Sequence, residues 1–324
     1  MRKIIAIGQS VLDTIIRNGQ PVMSMMGGRI ANAAASLGTL GLPVTMCSEC
    51  CNDRVGDLVI DFLKSHNVDV SSVDRFTDGS TSLSVIFDDV PEDSRKRVNY
   101  GSYPDDRFDV VWPRIDEGDV LLFGSLYAID LPQREHLFEL VSYAAERKAI
   151  IIYLPGFQHG INFRITRVMP AILENLEISN IVVAHERDIN DIFPGETAAE
   201  AFKNHIEYYS PIYFHINQDL SLSVFTSHGR TDFAATTAAT TNLLGWQAGL
   251  TAGIISEIMS RGLQLSDLRD LSAERMQGMV ATAMSFASEC ASAKFNVVGP
   301  DFAATQMERY KALEAERNKN LESK

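Results

Sequence analysis

Asp13, Gly27, Gly28 and Asn32 are the residues near the N-terminus whose types and spacing could grip a ligand rich in hydroxyls. Asp13, read as lying at the carboxyl end of a strand, carries a carboxylate able to accept two hydroxyl hydrogen bonds. Asn32, one turn into a helix, offers both a donor and an acceptor. Gly27 and Gly28 let the backbone approach a ligand with no Cβ in the way. The same residues also support a purely local reading. In that reading Asp13 caps a turn, the glycines serve the turn and Asn32 satisfies nearby backbone. The residues alone leave both readings open.

The second half of the chain offers less. His185 and Glu186 lie at a strand end, where they read either as a metal or acid/base pair or as a structural histidine with a solvated neighbour. No Asp or Glu occurs between Phe233 and Ser256, so the segment leading into the helix that opens near Trp246 brings no carboxylate to serve as a general base. Cys47, Cys50 and Cys51 are clustered, but the fourth thiol, Cys290, is remote in sequence, and Cys47 falls in an apolar run. They read as core cysteines rather than zinc ligands or a disulfide framework.

Composition narrows the classes. With 324 residues, 45% of them hydrophobic, the chain can bury a large α/β core. A formal net charge of -13 opposes sequence-independent nucleic-acid binding, which needs clustered Lys and Arg. No apolar run approaches the roughly 20 residues of a membrane span, and the opening residues turn polar too early for a signal peptide. The expectation is a cytoplasmic protein without nucleic-acid or membrane partners.

The elements that must position these residues alternate. A strand at Ile4 to Gly8 is followed by a polar segment, a helix from about Arg29 to Leu40, a strand at Val44 to Ser48 and a helix from Asp57 to Asn67. That rhythm predicts a parallel sheet. Ser80 to Asp88 and Arg95 to Tyr103 predict a hairpin around the charged turn Asp89 to Asp93. Strands at Val120 to Phe123, Ala149 to Tyr153, Asn180 to Ala184 and Pro211 to Ile216 then alternate with helices at Gln133 to Arg147, Arg164 to Leu176 and Thr197 to Tyr209. A further hairpin, Ser221 to Phe225 with Arg230 to Ala234, precedes two long helices at Leu243 to Arg261 and Ala273 to Ala291. Residues 1–305 are expected to form one domain, with 306–324 as a charged helix or tail.

Gly27-Gly28-Arg29-Ile30-Ala31-Asn32-Ala33-Ala34, followed by Leu37-Gly38 and Leu40-Gly41, resembles the N-terminal signature of the PfkB, or ribokinase-like, family of carbohydrate kinases. Val11-Leu12-Asp13 before it and Asn52-Asp53-Arg54-Val55-Gly56 and Asn67-Val68-Asp69 after it keep the family order. The resemblance runs from residue 3 to about residue 300. It implies a central, mostly parallel sheet flanked by helices, with a small β lid from about 14–26 and 80–103. It also implies a sugar pocket at Asp13, Gly27, Gly28 and Asn32, and a homodimer formed through the lid.

The catalytic half departs from that pattern. Family kinases place a Gly-Ala-Gly-Asp turn at a helix N-terminus, where amide groups surround the transferring phosphate and the aspartate takes the hydroxyl proton. Here Thr241, Asn242, Leu243 and Leu244 stand in those places, after Thr240, which still matches. Ala238 replaces the opening Asp. Leu154-Pro155-Gly156-Phe157-Gln158 replaces an Asp-Pro-Asn-x-Arg segment, and His185-Glu186-Arg187-Asp188 replaces the Asn-x-x-Glu that helps hold Mg2+. His215-Ile216-Asn217 replaces a Thr-x-Gly nucleotide loop. Base, anion cradle and metal-positioning groups act as a unit, so their joint loss implies more than one missing residue would.

The expected function is therefore a kinase homologue that keeps a sugar pocket, has no catalytic residue, metal site or cofactor, and serves a binding, regulatory or assembly role. The alternative is an active sugar or nucleoside kinase that uses ATP and Mg2+ through a rebuilt phosphate loop. A nicotinamide-dependent enzyme is a poor third reading because no Gly-x-Gly-x-x-Gly follows the first strand.

Overall fold

The computed structural model describes residues 2–87, 98–105, 107–157, 164–236 and 242–322. The N-terminal part runs β1 (Ile4–Ile7), β2 (Val11–Arg17), β3 (Gln20–Gly27), α1 (Arg29–Thr39), β4 (Val44–Cys51), α2 (Arg54–Ser65), β5 (Val68–Phe76), β6 (Ser80–Phe87) and β7 (Val98–Ser102). The middle continues with β8 (Val120–Gly124), α3 (Arg134–Glu146), β9 (Ile150–Leu154), α4 (Ile165–Ile178), β10 (Ile181–His185), α5 (Glu186–Ile192) and α6 (Ala198–Ala201). The chain closes with β11 (Ile212–Ile216), β12 (Leu222–Thr226), β13 (Gly229–Phe233), α7 (Leu243–Arg261), α8 (Ala273–Ser292) and α9 (Pro300–Glu322).

Short unbroken runs such as Ile-Ile-Ala-Ile, Ile-Ile-Ile-Tyr-Leu and Ile-Tyr-Phe-His-Ile make strands buried on both faces, as a sheet covered by helices requires. They join in the order β13-β12-β11-β10-β9-β8-β1-β4-β5, parallel from β11 to β5, with an antiparallel hairpin at the β13 edge. Alternation along each strand divides the core. Ile4, Ala6, Val120 and Leu122 pack with α1, α7 and α8, while Ile5, Ile7, Leu121 and Phe123 pack with α3 and α4.

A second sheet, in the order β3-β2-β6-β7, forms the lid. The polar segment expected between the first strand and α1 is corrected to a β-hairpin, β2-β3, reaching from Val11 to Gly27. Its turn is Asn18-Gly19, both at positive φ (50° and 71°), the dipeptide that favours a tight antiparallel reversal. Asp13 is accordingly the third residue of a lid strand and not the end of a sheet strand. β5 was not expected; its Val-Asp-Val-Ser-Ser-Val-Asp-Arg-Phe run mixes buried and exposed residues at an edge of the main sheet. The expected Thr197 to Tyr209 helix is shortened to α6 followed by one π turn at Phe202–Ile206. Asp89 to Asp93 and Gln158 lie outside the described residues.

The proposed 305/306 boundary falls inside α9, which begins at Pro300 and docks on the domain. Glu257 of α7 is wholly buried, and its carboxylate pairs with Arg261 and with Arg309 of α9. Thr282 of α8 donates to the same carboxylate at 2.7 Å, and Tyr310, which follows Arg309 in α9, is buried. Among the described residues, no helix is long and apolar enough to cross a membrane.

Candidate functional site

The main-sheet order turns at β1, with β4 and β5 on one side and β8 onward on the other. Crevices form at the carboxyl ends of strands where an open sheet changes direction. A cleft of about 270 Å³ lies there, lined by Gln9 beyond β1, Ser125 and Leu126 beyond β8, Gly156 and Phe157 beyond β9, and His185 at the end of β10. Gly28, Arg29 and Ile30 from the start of α1, Arg187, Asp188 and Asp191 from α5, and Leu243, Leu244 and Gln247 from the first turns of α7 complete it.

Asp188 and His185 therefore meet Leu243 and Leu244 in one cleft, and Gly28 joins them. Thr240 and Thr241 lie outside the described residues. Asn242 is the N-cap of α7: its side-chain oxygen accepts from the Gly245 amide at 3.2 Å. Its amide nitrogen donates to Ala291 O at 3.1 Å and Asn296 Oδ1 at 2.7 Å, tying α7 to the end of α8. The first two side chains of α7 are leucines, so the entrance of this helix is apolar.

His185 caps α5 with Nδ1 accepting the Arg187 amide at 3.0 Å, which places the proton of the neutral ring on Nε2. Burial holds its pKa below the usual histidine value, against the nearby Asp188 carboxylate. His215, on neighbouring β11, shares a 2.7 Å hydrogen bond with Tyr213 through Nδ1, and burial pushes it down to about 4.

Arg29 stands at the centre of the cleft. Its Nη1 donates to Asp188 Oδ2 at 2.9 Å and to Gln247 Oε1 at 3.0 Å, Nη2 to Pro155 O at 3.3 Å, and Nε to Ser125 Oγ at 3.3 Å. Ser125 holds φ 60° and ψ -165°, a backbone region otherwise left almost wholly to glycine. Arg29, Ser125, Gly156 and Gln247 were not singled out from the sequence. A signal existed: Arg29 is the first residue of a helix, where the helix dipole disfavours a cation, so its charge had to be answered from elsewhere.

Of the other expected residues, Asp13 and Gly27 lie on the lid strands, and Gly28 and Asn32 at the start of α1. Val11 pairs with Gly27 across β2 and β3, and the Asp13 carboxylate packs so closely on Gly27 that a Cβ there would run into it. Gly28, at φ 97°, then opens α1, and the Asn32 amide N–H donates to its carbonyl at 3.0 Å. Asp13 and Ser84 are cross-strand neighbours and both are buried. Asn32 is fully buried, and neither its side-chain oxygen nor its nitrogen has a hydrogen-bond partner among the described residues. A buried amide without partners costs free energy that an apolar side chain would avoid. Among the described residues there is no group of three or more His, Cys, Asp or Glu able to hold a metal ion.

A model of pfkB family carbohydrate kinases matches residues 1–229. No curated protein sequence matches the chain. Among solved structures, fructokinase with bound ATP from Xylella fastidiosa superposes with a TM-score of 0.75 at 14% identity, covering 95% of this chain and 99% of that one. Aminoimidazole riboside kinase from Salmonella enterica, complexed with aminoimidazole riboside and an ATP analog, gives 0.72 at 14% identity, covering 94% and 100%. Fructokinase from Vibrio cholerae O395, in a form with fructose, ADP and calcium ion bound, gives 0.72 at 15% identity, covering 93% and 96%. At these identities the likeness establishes the fold.

Proposed function

This chain belongs to the pfkB family of carbohydrate kinases, and we propose that it binds a sugar or nucleoside beneath its lid without transferring phosphate to it, acting as a binding, regulatory or assembly subunit. The observation that carries the binding half is Asn32, one turn into the helix that follows the Gly27-Gly28 turn, buried with neither side-chain polar atom hydrogen-bonded among the described residues. Hydroxyls are the natural complement, since they donate to the carboxylate and the amide oxygen and accept from the amide nitrogen. Two of the neighbours named above carry aminoimidazole riboside with an ATP analog, and fructose with ADP, and the sugar or riboside class suits Asp13 and Asn32.

The other half rests on the cleft. Leu243 and Leu244 present alkyl groups where phosphoryl transfer needs amide donors and a proton acceptor, and Asp188 is engaged by Arg29. No cofactor is required for this role.

The lid also supports a homodimer. The strand registers place Leu12, Leu83, Val85 and Phe87 on one face with Tyr100, and the last two are 40% and 59% exposed. Covering such a face with a second copy removes apolar surface from water. Light scattering on the purified protein tests this; a monomer at high concentration would refute it.

A thermal-shift panel of hexoses, pentoses and nucleosides, each with and without Mg-ATP, tests the main reading. A ligand at 100 times its Kd adds about 2.7 kcal/mol of stability. A sugar or nucleoside response that Asp13→Asn abolishes, with no response to Mg-ATP, is expected. A strong Mg-ATP shift accompanied by ADP release would instead establish the active-kinase alternative.

A further inference from the structure

Arg29 is seated on four oxygens supplied by four separate segments: Asp188 Oδ2, Gln247 Oε1, the Pro155 carbonyl and Ser125 Oγ. Both ends of its ion pair are 15% exposed, so the contact is shielded from bulk water. The seat is shaped for this group. A Cβ on Gly156 would lie 2.7 Å from Nη2, and Ser125 keeps a backbone conformation that few non-glycine residues adopt. In the Leu154-Pro155-Gly156 segment, where the family pattern has polar side chains, the Pro155 carbonyl and the gap left by Gly156 fit a guanidinium.

We propose that Arg29 is a built-in cation occupying the place beside Asp188 where the fold family would hold a divalent metal, and that it shuts this cleft to metal–nucleotide complexes. The residues present do not fit a bound Mg2+. The one carboxylate at the family's metal-holding position already has a counter-charge at 2.9 Å, and the described residues offer no cluster of three ligating side chains. An incoming ion must displace a cation tethered to the same chain and already held by four oxygens, so it competes against an intramolecular contact. The inference rests on the reading of this cleft as one without phosphoryl transfer, and it adds the reason that restoring a base would not be enough.

The seat itself is made of oxygens, the donors that hard divalent cations prefer. Removing the guanidinium leaves all four facing one vacated volume. Mn2+ is a suitable probe, followed through the paramagnetic resonance of the free ion, in titrations of the full chain and of Arg29→Ala, Arg29→Ala/Asp188→Asn and Asp188→Asn. Arg29→Ala is expected to bind Mn2+ at least about tenfold more tightly than the wild type, and the double variant is expected to lose that gain. No gain in Arg29→Ala would overturn the proposal. So would a wild-type affinity that matches Arg29→Ala and falls on Asp188→Asn. Should Arg29→Ala fail to fold, the wild-type and Asp188→Asn pair still decides: equal, weak Mn2+ binding supports a filled seat, and a drop in the variant refutes it. None of these outcomes touches the sugar response, which reports on Asp13 and Asn32.

Discussion

Replacing Asn32 with Leu, a side chain of similar size, separates a structural amide from one held open for a ligand. Were the Asn32 amide paired within the protein, Asn32→Leu would strand its partners and cost about 1–3 kcal/mol. With neither atom hydrogen-bonded among the described residues and the residue fully buried, the change instead removes two unanswered polar groups and adds apolar burial. The ligand-free protein should therefore gain about 2 kcal/mol. For a chain of 324 residues, an unfolding entropy of about 2.1 cal/mol/K per residue turns that gain into a rise in Tm of about 3 °C. The assay is differential scanning fluorimetry with and without the sugar that shifts the wild type. The variant should melt higher and ignore the sugar. A lower Tm, or a retained sugar response, would refute the argument from the unpaired amide.

The remaining predictions address the cleft and the β10–β11 histidines. Leu243→Gly with Leu244→Asp should give no ADP release above background in a coupled assay, because Arg29 still engages Asp188 and Leu154-Pro155-Gly156 stays bare; appreciable turnover would confine the defect to those two positions. Gly156→Ala should cost about 1–3 kcal/mol in urea denaturation, since its Cβ meets Arg29 Nη2 at 2.7 Å and Ser125 Cα at 2.8 Å, and much of that cost should vanish when Arg29→Ala is added. His215 is held at about 4 when folded against an ordinary 6.5, so the unfolded chain binds more protons between those values. Its contribution is complete above about pH 6.5 and is lost as pH falls toward 4, a loss of about 3 kcal/mol. Stability measured across that window should flatten in His215→Gln, and an unchanged slope would refute it.

Much of the fold was legible because the central strands are short, continuous apolar runs punctuated by helices of clear period. The helix at Leu243 to Arg261 agrees with the expected span residue for residue. What escaped had physical reasons. Asp13, Thr14 and Arg17 interrupt the alternation of β2, so the hairpin turn Asn18-Gly19 was the only clean cue to it. β5 lies at an edge of the main sheet, where polar residues are tolerated and the apolar signal fades. At the candidate site, the residue types of Asp13, Asn32, Asp188 and Leu244 could be read as a list. The burial of Asn32 and the engagement of Asp188 by Arg29 could not. The role of Arg29 needed coordinates, because its acceptors stand 96 to 218 residues away along the chain and one of them is a proline carbonyl.

The α7 helix is gripped near both of its ends by arginines from opposite extremities of the polypeptide: Gln247 by Arg29, and Glu257 by Arg309. Synthesis proceeds from the first toward the last. Until residue 309 has left the ribosome, the carboxylate of Glu257 has Arg261 alone to offset its charge in a dry interior. A nascent chain halted before that point would carry a half-neutralised acid under its central rod, and a fusion partner is better appended after α9 than substituted for it.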